Sequence, residues 1–122
     1  MKNIRFTFLI VMLLASASVV SAGDKTIEGE LVDISCYVHG ASGSKHQMCA
    51  VTCAKLGKPV GIVAKDGKIY TLQLASSEVA EYMAKTVKVT GEIHEASQSI
   101  KPLNLEVLDG NKWVKIDVAK SM

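Results

Sequence analysis

The chain has 122 residues, with 14 basic and 12 acidic side chains, three histidines and a formal charge of +2 at neutral pH. That length supports one hydrophobic core and little more. Arg5 is the single arginine, so the rest of the chain lacks the guanidinium fork that grips phosphates and guanine edges, and nucleic acid is not an expected partner.

Residues 1–22 read as a signal peptide. Lys2 and Arg5 form a basic start, residues 6–15 an apolar run, and Val20, Ser21 and Ala22 the small residues at which a signal peptidase cuts. The apolar run is shorter than the ~20 residues of a membrane-spanning helix, and no cysteine follows it closely enough for a lipid anchor. The expectation is a periplasmic or secreted protein, not membrane-embedded, whose residues 23–122 form a single domain. Residues 1–22 carry two basic side chains and no acid, so 12 of each sign remain and the exported domain is close to neutral. Its three cysteines, Cys36, Cys49 and Cys53, would meet an oxidising compartment. An odd number leaves one thiol over, pairs it between chains, or gives the set to a metal.

A first strand is predicted over residues 26–34, with Ile27, Leu31 and Val32 inward, Gly29 at a bend, and Asp33 and Cys36 delivered at its end. A flexible Gly40-Ala41-Ser42-Gly43 loop leads to Ser44, and Gln47 three residues later makes a capping-box pattern. A three-turn helix is expected over residues 45–56, stopped by Gly57 and Pro59. Residues 60–64 and 68–74 are β-prone runs joined by Lys65-Asp66-Gly67, a tight hairpin signal. Ser76 or Ser77 can cap a second helix to about residue 85, with Val79, Tyr82 and Met83 inward. Val87, Val89, Gly91 and Ile93 then alternate with polar residues, and Leu103, Leu105 and Val107 repeat the period of two. Asp109-Gly110-Asn111 turns the chain into a last strand over residues 113–118, placed to close a barrel or cover its end.

This order predicts a mainly β fold: an OB-fold-like small barrel with a helix between strands 3 and 4 and an extra short helix, bearing cysteine and histidine, between strands 1 and 2. The motifs at residues 28–33 (Glu-Gly-Glu-Leu-Val-Asp), Cys36-Tyr37, residues 46–54 (His-x-x-Cys-Ala-x-x-Cys-Ala) and residues 57–61 (Gly-x-Pro-Val-Gly) resemble those of small exported bacterial OB-fold-like proteins of unknown function. The resemblance spans nearly the whole exported domain and implies a fold, not an activity.

Chemistry concentrates in the inserted helix. An α-helix advances ~100° per residue, so His46, Cys49 and Cys53, at i, i+3 and i+7, fall on one stripe. Cys36 would complete a set of three cysteines and one histidine with the composition of a structural zinc site, and thiolates also suit Cu(I). His39 is a reserve ligand. The competing reading is a disulfide from Cys36 to Cys49 or Cys53, stapling the helix to the first strand in a module that binds a protein, peptide or glycan without metal. A third reading packs Cys49 and Cys53 in the core with Ala50 and Ala54. A thiol enzyme pairing cysteine with His46 or His39 and Asp33 has little support, because no redox Cys-x-x-Cys, nucleophile elbow or phosphate loop is present. Glu28, Glu30 and Asp33 read as the solvent face and end of a strand, and Met48, Tyr37 and Trp113 as packing or rim residues.

Overall fold

A computed structural model describes residues 24–118; the expected signal peptide, residues 1–22, lies outside them. The chain runs β1 (Lys25–Asp33), a single helical turn α1 (Ile34–Tyr37), a 3-10 turn (Ser44–His46), α2 (Gln47–Lys55), β2 (Val60–Ala64), β3 (Ile69–Leu72), a 3-10 helix (Ser76–Tyr82), β4 (Thr86–His94), a 3-10 turn (Glu95–Ser97), β5 (Ser99–Asp109) and β6 (Lys112–Lys115). The sheet order is β3-β2-β1-β4-β5-β6, and β3 also pairs with β5 in parallel. That last pairing closes five strands into a barrel and leaves β6 as an extra strand on the outer edge of β5.

Closure depends on β1 serving two partners. Residues 25–30 pair with β4 and residues 29–33 with β2, so the strand bends where the two ladders overlap, at Gly29 and Glu30. A Cβ at Gly29 would overlap the carbonyl oxygen of Val63, so only glycine allows the two backbones to approach this closely. The β2–β3 hairpin turns at Gly67, whose φ of +84° is left-handed backbone that glycine adopts without steric cost. Its closure is a bond from the Gly67 N–H to the Ala64 carbonyl at 2.9 Å.

The barrel interior holds Leu31, Ile62, Val87, Val89, Ile100 and Leu105, all fully buried, with Val79 and Met83 packed beside them. Ile27, Leu31 and Val32 are all buried, with Ile27 and Leu31 in the core. Leu103 does not follow its pattern and is 56% exposed. Thr90 faces Asn104 while Gly91 faces Pro102, so Leu103 is an unpaired bulge residue and the alternation slips there.

The segment between β3 and β4 is helical as expected, but as a 3-10 helix that stops at Tyr82. Ser76 does not cap it. Its buried hydroxyl donates to the Ala54 carbonyl at 3.1 Å and joins this helix to the C-terminal turn of α2. At the other end of α2, the Gln47 side-chain amide donates to the Met83 carbonyl at 3.1 Å. Ala50 and Ala54 supply the buried face of α2, and these small side chains let the two helices lie close together. Among the described residues, no helix is long and apolar enough to cross a membrane.

Candidate metal centre

Each cysteine is placed by a different local device. The strand predicted to run to residue 34 ends at Asp33, and Cys36 stands on α1 rather than at a strand end. Asp33 is the reason. Its Oδ1 accepts the Cys36 backbone N–H at 3.1 Å, an N-cap that turns the chain at once into a helix. The preference of aspartate for that position was readable in the sequence, but the pull of the preceding β-prone residues masked it.

Cys49 and Cys53 stand one turn apart on α2, so their side chains share one side of the helix. Ala50 and Ala54 occupy the neighbouring stripe and face the core. The two cysteines are therefore not core packing of the same kind: Cys49 is exposed, while Cys53 is 9% exposed at the edge of the buried region. All three cysteines are free thiols, and their sulfur atoms lie within 4.8 Å of one another. Sulfurs on a tetrahedral ion bound at 2.3 Å are separated by roughly 3.8 Å, so side-chain adjustments of about an ångström would close this group onto a metal.

His46 is not in that group. The expected helix begins as a 3-10 turn, and His46 sits at its junction with α2 with φ −107° and ψ 3°, which interrupts the α-helical stripe. The anticipated Ser44 capping box does not form; Gly43 holds the cap position, and its N–H donates instead to Glu30 Oε1 at 2.7 Å. Glu30, expected on a solvent face, thus ties the loop after α1 to β1. His46 is half-buried, and its Nε2 is buried without a hydrogen-bond partner. His39 and Met48 are exposed, Met48 to 87%, so Met48 is not a packing residue.

Asp33 lies at the buried side of the cluster and is 2% exposed. Its carboxylate meets the Cys53 thiol. That hydrogen bond, then burial, then the carboxylate charge push the thiol up to about 11, against a smaller opposing effect of the Lys58 ammonium. Burial first, and then the charge of Asp33, also raise the Cys36 thiol. Asp33 Oδ2 nevertheless has no hydrogen-bond partner of ordinary geometry. In the metal-free protein Cys36 and Cys53 are therefore held toward the protonated thiol rather than activated as nucleophiles.

A groove of about 1190 Å³ lies elsewhere, between the end of β3, the middle of β5 and the segment after β6. Thr71, Gln73, Ser99, Leu103, Asn104 and Lys115 are among its lining residues, and none of the cysteines reaches it. Among the described residues, the cysteine group is where metal-ligand atoms converge. Comparison of the chain with protein-family models, curated proteins and solved structures finds no match.

Proposed function

We propose that this protein is an exported, OB-like binding domain that holds a soft metal ion, zinc or copper, through its cysteine cluster, and that it is not an enzyme. The observation that carries this reading is the convergence of three free thiols from α1 and α2 within 4.8 Å. Sulfur-rich sites select Zn²⁺ and Cu(I) over hard cations. The raised thiols of Cys36 and Cys53 argue against catalysis by either, which needs a lowered pKa. The OB-like assignment draws on the closed five-stranded barrel and on the helical segment between its third and fourth strands. Export draws on the sequence of residues 1–22 alone.

The test is elemental analysis of the purified protein together with a thiol count under denaturing conditions without reductant. One equivalent of zinc or copper with three titratable thiols is expected. Cys49 is exposed, so Cys49→Ser should abolish metal retention while changing apo-protein stability by no more than about 0.5 kcal/mol. Undiminished metal content in that variant would sink the proposal.

A second reading is favoured by the groove on β5. Its mixed lining, with Leu103 and Ile116 beside hydroxyl, amide and lysine groups, suits an extended peptide or a glycan, with a Cys36 disulfide stapling α2 in place of a metal. No metal and one free thiol would establish that reading instead.

A further inference from the structure

A three-sulfur site leaves open what fills a fourth position and therefore which metal it prefers. Two groups near the cysteines have a polar atom without a partner, Asp33 Oδ2 and His46 Nε2. They are not equivalent. Neither belongs to the group of three sulfurs, but His46 is only half-buried, at the junction of the 3-10 turn and α2. Asp33 is 2% exposed, is locked in place by the bond from the Cys36 N–H to Oδ1, and bears on the thiols of both Cys53 and Cys36. A buried carboxylate oxygen without a well-formed hydrogen bond is costly, and a cation is one of the few groups that remove that cost.

We infer that Asp33 is the fourth ligand of the cluster, through Oδ2, and that the resulting site of three thiolates and one carboxylate is built for Zn²⁺ in preference to Cu(I). The inference rests on the proposed metal-binding function. Charge and hardness both support the choice of ion. Three thiolates and a carboxylate around Zn²⁺ leave the same residual charge as a four-cysteine zinc site, whereas Cu(I) would leave one more negative charge at a partly buried position. Carboxylate oxygen is an ordinary zinc ligand at about 2.0–2.2 Å, while Cu(I) selects sulfur. Asp33 is also a coherent ligand mechanically, because one oxygen holds the helical turn that carries Cys36 and leaves the other free to coordinate.

The test is Asp33→Asn in the purified, reduced protein, with zinc affinity measured by competition against a chromophoric chelator and Cu(I) affinity measured in parallel. Asparagine caps helices as well as aspartate does, so α1 and Cys36 keep their places. Zinc affinity is expected to fall by about 10- to 100-fold or more, with Cu(I) affinity changed far less, and His46→Ala should leave zinc affinity close to that of the parent. Equal zinc affinity in Asp33→Asn and the parent, or a zinc loss that follows His46→Ala instead, overturns the inference. X-ray absorption of the zinc-loaded parent gives a check that needs no variant. Three sulfurs and one oxygen, without outer-shell imidazole scattering, are expected, and imidazole scattering overturns the assignment. A parent protein that takes up no zinc or copper refutes the proposed function itself. A parent that binds zinc independently of Asp33 refutes only the fourth ligand.

Discussion

The proton on Cys53 is what a metal ion must displace. The thiol is raised from 9.0 to about 11 by Asp33 and burial, so folding favours its protonated form. A group whose pKa is higher in the folded than in the unfolded state contributes stability that is fully present below the unfolded value and is lost as pH rises through the folded one. The reduced, metal-free protein should therefore lose stability between about pH 9 and pH 11, measured by urea unfolding. Tyr82 is also raised, chiefly by burial, so the comparison that isolates Cys53 is Cys53→Ala. That variant should show a shallower loss, and an identical slope would disprove the assignment. Metal affinity should rise with pH over the same interval, because thiolate ligation releases protons. Sequence made the three cysteines visible as a set. It offered Asp33 only as the acid of a weak catalytic reading and did not reveal its burial, since an acid at the end of a strand ordinarily meets water, whereas here it is 2% exposed.

The elements that carry these residues are held by contacts between distant parts of the chain. The loop after α1 is fixed by Gly43 donating to Glu30, and α2 is tied at its two ends to Met83 and Ser76. Such bonds override local signals: Ser44 caps nothing, and His46 takes non-helical dihedrals at the N-cap of α2. The bend in β1 is a sensitive position of the barrel. Gly29→Ala would drive a methyl group into the Val63 carbonyl, a backbone clash that no rotamer change relieves, and should cost about 3 kcal/mol or more in denaturant unfolding. A loss below about 1 kcal/mol would mean that β1 and β2 separate easily at this point. Strand alternation was legible for β4, and for β5 from Leu105 onward. Leu103 broke it because a bulge is set by the pairing of Gly91 with Pro102 across two strands, and a single strand's sequence does not contain its partner's register.

Across the whole molecule, the cysteine cluster joins a helical turn that continues β1 to a helix packed on the segment before β4. A bound ion would therefore cross-link the insertion between β1 and β2 to the barrel that supports it. Binding to the folded state alone stabilises by about 2.7 kcal/mol when free metal is 100 times its dissociation constant. Zinc should accordingly raise the melting temperature of the parent protein, a strong chelator should reverse the gain, and Cys49→Ser should show neither effect. A melting temperature indifferent to zinc and chelator would separate the cluster from any role in folding energetics. By itself, the sequence determined the mainly β class, the hairpin at Gly67, the turn at Gly110 and the helical placement of Cys49 and Cys53, because these depend on residue periodicity and on backbone preferences within a few positions. Only the tertiary structure decided barrel closure through β3 and β5, the convergence of the three sulfurs and the burial of Asp33. Those are outcomes of pairing and packing between segments remote in sequence, where the energy of one residue depends on which side chains the rest of the fold brings against it.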